Sequence, residues 1–419
     1  MYRSFKIVSL IVIMITIIGS CNSKDDKKEV KIVKKDPTFN KGTFGYDKAF
    51  LFKHYNKTVL LESEDGKSAI ILSPELQGRV MTSSLNGDTG ISFGWLNYDL
   101  ISSKELQDHI NATGGEERFW IGPEGGQFSI YFKPGSSFEF KDWHVPLEID
   151  TQEFNLIKQD MNSALFKKEM NLINHSGTKF KIEVSRKVTL LTKDQIKASL
   201  QLASDEFSSV AYETNNTLKN IGKNDWKKET GLLSIWLLSM LNPSDEVTVV
   251  IPIKEGSDKE LGIKVNDNYF GKVEADRLKT TERTVFFKAD GNSRGKIGIS
   301  PLRVTKFMGS YDALSQTLGI LEISEPKPTD QYVNSAWELQ DDPFSGDVLN
   351  SYNDGPLEGG SQLGPFYEME SSSPALALES GTEYTHTQRI YHFKGDRSIL
   401  DKISRQILNV SLDEIEAAF

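Results

Sequence analysis

The chain has 419 residues, a net charge of −10 at pH 7 and a single cysteine. The acidic balance argues against nucleic acid, whose binders carry basic patches, so no nucleic-acid partner is expected. One thiol excludes a disulfide framework, so a large hydrophobic core must hold the body together. In chain order, the first element is an export signal. Arg3 and Lys6 precede an apolar run at residues 7–18, and small Gly19-Ser20 come just before Cys21. The run is shorter than the roughly 20 residues that span a bilayer, and the order of charge, apolar core and small residues is that of a cleaved secretory segment, residues 1–20.

The block Ile18-Gly19-Ser20-Cys21 resembles a lipobox, so lipidation is expected at Cys21. Residues 21–44 are charged and poor in aromatics and are expected to form a flexible tether. Within them, Lys24-Asp25-Asp26 resembles an acidic signal that sends lipoproteins to the cell surface. The expected location is the bacterial outer membrane, lipid-anchored, on its periplasmic or cell-surface side. The lipid is the only membrane contact expected.

The body, residues 45–419, reads as one all-β domain. Short segments rich in β-branched or aromatic residues predict strands at 69–72, 128–132, 180–184, 187–191, 196–203, 247–253, 284–288 and 317–323. Turn clusters such as His175-Ser176-Gly177 separate them, a pattern of sandwiches and barrels. Helix is expected only at 103–110 and, with apolar residues on one face, at 398–410.

Two segments carry more polar and aromatic residues than a plain sandwich needs. The first, 114–146, holds Glu116, Glu117, Arg118, Trp120 and Glu124 among glycines, followed by Trp143-His144. Arginine beside carboxylates can fix them or hold an anionic group bidentately, and His144 offers a titratable imidazole. In the second, 352–386, Asp354 and Glu358 sit in a Gly/Pro loop, and Glu368 and Glu370 lie two apart. On a strand those two share a face; repulsion between neighbouring carboxylates raises one pKa, which suits proton transfer. The Asn-rich stretch with Asn215, Asn216, Asn220 and Trp226 is a weaker candidate for binding sugar hydroxyls. The histidines are scattered, with no metal-type cluster and no dense nucleotide or hydrolase motif, so neither metal nor cofactor is expected.

The segment from Glu370-Ser-Ser-Ser-Pro374 through Leu378-Glu-Ser-Gly381 and Tyr384-Thr-His386 to Tyr391-His392-Phe393 resembles the closing segment of galactose-mutarotase-like (aldose epimerase-like) proteins. The stretches GGEERFWIGPEGG and YNDGP also resemble an uncharacterised family of bacterial lipoproteins grouped near that superfamily. The resemblance implies a supersandwich of antiparallel sheets with a sugar cleft on a concave face. It also implies a glutamate base at Glu370. The family's acid, a histidine in Asn-His-x-Tyr-Phe-Asn, is matched only in its first pair by Asn174-His175, which leaves epimerase, lyase and hydrolase chemistry open. The expectation is therefore an envelope lipoprotein acting on a carbohydrate, with Glu370 as base, Glu368 tuning it, and His144 or Glu117 as acid. Arg118, Trp120, Glu124, Trp143, Asn216, Asp354 and Glu358 would bind substrate. The alternative is a glycan-binding lipoprotein that uses the same cleft without catalysis, with Trp120, Trp143 and Trp226 stacking on sugar rings.

Overall fold

The computed structural model describes residues 38–357 and 359–419. The expected signal, Cys21, residues 21–37 of the tether and Glu358 lie outside the described residues; the end of the expected tether is docked on the body, with Thr43 bridged to Ile91 and Phe44 buried at the start of a helix. Among the described residues, no helix is long and apolar enough to cross a membrane.

Three antiparallel sheets build the body, spanning Phe39–Phe419. The largest has ten strands. Its order is Leu278–Thr280, Thr284–Lys288, Val247–Pro252, Phe307–Asp312, Thr317–Ile323, Glu383–Gly395, Phe207–Asn220, Lys179–Leu190, Ser163–Ile173 and Asn155–Gln159. The second has five strands in the order Gly295–Ile299, Leu349–Asn353, Tyr367–Ser372, Ser234–Leu241 and Arg118–Gly122. A third, of Val59–Glu62, Ala69–Ser73 and Arg79–Ser84, carries the helix Phe44–His54 on one face, where Phe44 and Leu51 pack on Ile71 and Met81.

The two large sheets pack face to face. Phe119, Ile121, Leu237, Met369 and Ile297 of the five-stranded sheet meet Phe166, Ile182, Val184, Val210 and Ile390 of the ten-stranded sheet in one core. The outer face of the ten-stranded sheet is treated differently along its width. On one half, helices Lys193–Leu200, Arg397–Leu408 and Leu412–Glu416 bury Ile196, Leu400, Ile403 and Leu412 against Val250, Ile320 and Phe393. On the other half, opposite charges pair across strands, as in Lys167–Glu183 at 3.0 Å and Arg389–Glu213 at 2.6 Å. One edge strand of the sheet, Asn155–Gln159, is exposed along its whole length and bulges between Leu156 and Lys158. This is the expected all-β supersandwich of antiparallel sheets with a C-terminal helix.

Several element expectations change. Residues 196–203 were expected as strand, but 193–200 form a helix: Thr192 accepts from the backbone of Gln195, whose side chain returns the bond, a capping box that starts a helical turn. Residues 128–132 are loop, not strand. The Ser129 hydroxyl takes the Tyr131 amide at 3.0 Å and donates to the Glu124 carbonyl, local bonds that compete with a ladder. The expected helix at 103–110 lies earlier, at Tyr98–Ser103, where Asn97 caps the Leu100 amide and Lys104 ends the helix in the left-handed region. The two strands expected at 180–191 are a single one.

A polar seam crosses the apolar core. Arg186 of the ten-stranded sheet binds Glu117 at 2.8 Å and Asn216 at 2.6 Å, and Gln388 donates to the other Glu117 oxygen at 2.7 Å. Gln388 in turn accepts from Ser371, which also contacts His386 Nε2 at 2.8 Å. All six are buried. Neither Glu117 as acid nor Asn216 as sugar ligand survives this: both are structural partners of Arg186 between the sheets. Removing one member of a buried pair leaves an uncompensated charge. Glu117→Ala is expected to lower unfolding free energy by about 3–5 kcal/mol in urea titration, whereas a loss under 1 kcal/mol would contradict the structural role.

Candidate functional site

The outer face of the five-stranded sheet floors a cleft. Alternation along each strand decides what faces it. Arg118 and Trp120 project outward while Phe119 and Ile121 enter the core; likewise Trp236 and Leu238 alternate with Ile235 and Leu237. Glu368 and Glu370 flank inward Met369, Asn350 and Tyr352 flank Ser351, and Lys296 precedes inward Ile297. Register brings these together: Trp120 lies opposite Trp236, Glu370 opposite both Leu238 and Asn350, and Tyr352 opposite both Glu368 and Lys296.

Loops raise the walls. Glu124 stands on the loop after Arg118–Gly122, pressed against the 334–340 loop. A Cβ on Gly125 would sit 2.4 Å from the Ala336 carbonyl oxygen, so only glycine permits this approach. Gln127 and Gln340 lock the two loops with reciprocal bonds of 2.9 and 3.0 Å. Trp337 stacks on Trp143, ring centres 5.5 Å apart, and Trp143 stacks on Tyr131 and Phe140. The main hollow has a volume of about 820 Å³, with an adjoining one of about 190 Å³; both are lined by Glu124, Trp236, Lys296, Arg294, Phe270 and Trp337. The main volume falls within the roughly 300–1,000 Å³ of small-molecule sites.

Charge is concentrated on the floor. Glu370 is fully buried, and one of its oxygens takes both the Lys296 ammonium at 2.9 Å and the Trp236 indole N–H at 2.8 Å. Burial works against the Lys296 charge, but Glu370 and Glu124 outweigh it and hold the ammonium above the ordinary lysine pKa. Glu368 lines the smaller hollow, 3.4 Å from the Arg118 guanidinium, which itself lies 4.0 Å over the Trp120 ring. Burial, reinforced by Glu370, pushes the Glu368 carboxyl up to about 8; Arg118 and Lys296 only partly offset this. The contact to Arg118 is long, so its attraction is the weaker influence. Burial also pushes Glu124 up to about 7, against the pull of Lys296. Asp354 lines the smaller hollow and accepts from Tyr352 at 2.7 Å. Asp347, on the wall of the larger one, accepts from Asn266 at 3.0 Å and from Tyr269. Burial raises both aspartates.

The cleft thus gathers Arg118, Trp120, Glu124, Trp143, Asp354 and Glu368 of the expected site, with Glu370 beneath its floor. It does not gather Glu117 or Asn216, which are in the core seam. Trp226 is buried against Phe180, not at the cleft. His144 is absent from the lining; its ring turns toward Asp108, 3.7 Å away, and lies tilted against His109. Glu358 lies outside the described residues. Sequence reasoning missed Lys296, Arg294, Trp236, Tyr269 and Asp347. Lys296 had one signal, a lone cation inside the alternating segment GKIGI. Trp236 had none, because SIWLLSML reads as a strand buried on both faces. Nor did spacing reveal that Asp108, His109 and His144 converge, since 34 residues separate His109 from Trp143 and the fold alone joins them.

The family model described as "Family of unknown function (DUF6786)" matches residues 42–419. No curated protein matches the chain. Among solved structures it is similar to a putative aldose 1-epimerase from Escherichia coli K12, at 10% identity over 80% of this chain and 99% of that one, with a TM-score of 0.46. It is similar to the same extent to a galactose mutarotase-like protein from Lactobacillus casei, at 10% identity, 80% and 99% coverage and a TM-score of 0.46. A 4-alpha-glucanotransferase from Thermococcus litoralis is matched at 9% identity over 80% of this chain and 37% of that one, with a TM-score of 0.38.

The raised carboxyl of Glu368 has a consequence for stability. It stays protonated in the folded chain from its ordinary pKa of 4.5 up to about 8, while the unfolded chain has already lost that proton. The folded state therefore binds more protons in this window, and stability falls as pH rises through it. Melting temperature is expected to decline between pH 5 and pH 9, and Glu368→Gln is expected to flatten that decline, measured by calorimetry across the range. An unchanged pH slope in the variant would refute the assignment.

Proposed function

We propose that this chain, which belongs to the family of unknown function DUF6786, binds a sugar or glycan in its cleft and acts on it by carboxylate acid–base chemistry. The observation that carries the reading is the pair Glu368 and Glu370 on one strand face, held in different environments. Glu370 is ion-paired to Lys296, whereas Glu368 is pushed up to about 8 and keeps its proton at neutral pH. A buried carboxyl that keeps its proton beside an ion-paired neighbour is poised to act as a proton donor.

Glu368 is the proton donor in this proposal, because it lines the hollow and is protonated. Glu124, which lines the same hollow and is pushed up to about 7, exchanges the second proton. Glu370, whose bonded oxygen is committed to Lys296 and Trp236, keeps the Glu368 proton in place from below. Trp236 and Trp337 supply apolar ring faces for a sugar, and Arg118 and Arg294 supply donors for its hydroxyl or carboxylate oxygens. The supersandwich fold and the resemblance carried by the closing segment from Glu370 to Phe393 accord with a sugar as partner, and the reading does not choose among epimerase, lyase and hydrolase steps.

A panel of neutral and acidic sugars and polysaccharides, followed by NMR for new products, tests this. Glu368→Gln is expected to lower kcat about 10²–10⁴-fold on the responding substrate, the usual contribution of a positioned acid, while binding persists. Full turnover in that variant sinks the acid assignment. Binding across the panel with no product moves the protein to the alternative, a glycan-binding role for the same cleft.

The proposal extends to location. The signal pattern ending at Cys21 supports a lipid anchor in the outer membrane, with the charged residues after it as spacer. Cys21→Ala is expected to shift the protein from the membrane to the soluble fraction of cells; retention in the membrane fraction would contradict the anchor.

A further inference from the structure

Asp108, His109 and His144 lie on two loops that meet beside the aromatic wall of the cleft. The loops are stitched by the Val145 amide donating to the His109 carbonyl at 2.9 Å. His109 Nδ1 lies 2.7 Å from the Trp143 carbonyl oxygen. A carbonyl can only accept, so Nδ1 carries the proton and Nε2 presents a bare lone pair. A backbone carbonyl that fixes the tautomer and turn of an imidazole in this way is the usual outer support of a metal-binding histidine.

Each of the three residues can offer one ligand atom, and these atoms all lie within 4.8 Å of one another. His144 Nε2 and Asp108 Oδ2 are 3.7 Å apart, too long for a hydrogen bond. Two ligands of one tetrahedral zinc ion, each at about 2.0–2.1 Å, stand roughly 3.3 Å apart, so small side-chain movements close the site. Access is open: His144 is 33% exposed and Asp108 84% exposed. Among the described residues this is the one such group of three.

We propose that Asp108, His109 and His144 bind a divalent transition-metal ion of the zinc class at the rim of the cleft. Two imidazoles and a carboxylate suit that class better than calcium or magnesium, which prefer oxygen ligands. The bound ion ties the loop carrying Asp108 and His109 to the one carrying Phe140, Trp143 and His144. His109 packs on Phe140, ring centres 4.4 Å apart, and Phe140 and Trp143 line the cleft. The ion therefore stiffens one cleft wall. It takes no part in the carboxylate chemistry above, so the two readings stand or fall separately.

Calorimetric titration of Zn²⁺ into the chelator-treated full chain tests the site. The expected result is one ion per chain and a higher melting temperature once Zn²⁺ exceeds its dissociation constant. His144→Gln and Asp108→Ala are each expected to weaken binding about tenfold or more, with the metal-free circular dichroism spectrum unchanged. His109→Ala adds the loss of the Trp143 contact; Asp108→Ala removes only an exposed carboxylate and remains informative if that variant is unstable. No binding up to about 100 μM Zn²⁺, or binding that persists unchanged in Asp108→Ala and His144→Gln, overturns the proposal; persistence would place the ion elsewhere.

Discussion

The cleft depends on the two-residue period of a β-strand. Each strand of the five-stranded sheet commits alternate side chains to the core, and those residues weld it to the ten-stranded layer. The residues between them have nowhere to go but the opposite face. Met369 anchors the strand whose neighbours on either side are Glu368 and Glu370. Ile297 does the same beside Lys296. A slip of one residue in register would send these charges into the apolar layer, so core packing and site assembly are one constraint.

That constraint sets the energetics of the site. Charges on the cleft floor are buried, and buried charges are costly unless matched. Lys296 and Trp236 match one oxygen of Glu370, and Arg118 stands by Glu368 at longer range. The mismatch is unequal, and the carboxyl with poorer compensation keeps its proton. A different device holds the opposite side of the sheet, where Arg186 spans to the Glu117 carboxylate at 2.8 Å and to Asn216 at 2.6 Å. One ion-pair network is closed and structural; the other is left incomplete where a ligand can enter.

Much of the fold was legible in the sequence because the strands at 247–252, 284–288 and 317–323 are β-branched runs bounded by turn residues, and the last long helix has an apolar stripe. The short helix at 193–200 was not, since its apolar content resembles strand and only the capping box distinguishes it. In the site, Glu368, Arg118 and Glu124 stood out as charges inside hydrophobic or glycine-rich surroundings. Their neighbours Glu117 and His144 stood out equally, and sequence could not say which face each takes: Glu117 precedes Arg118 by one residue and so points the other way. Lys296, Arg294 and Trp236 reach the cleft only through strand pairings between segments far apart in the chain, information that local pattern does not carry.

The exposed edge strand Asn155–Gln159 bears on how the molecule behaves in company. A ten-stranded sheet that ended in a straight, apolar edge would invite a second molecule to add its own strand. Here Leu156 and Ile157 are exposed at that edge, yet the bulge between Leu156 and Lys158 breaks the even spacing of donors and acceptors that an incoming strand must match. Lys158 also sets a charge in the path of approach. The irregularity acts as a stop to sheet growth at this edge, and chains held at high local density meet a poor template there for adding a strand.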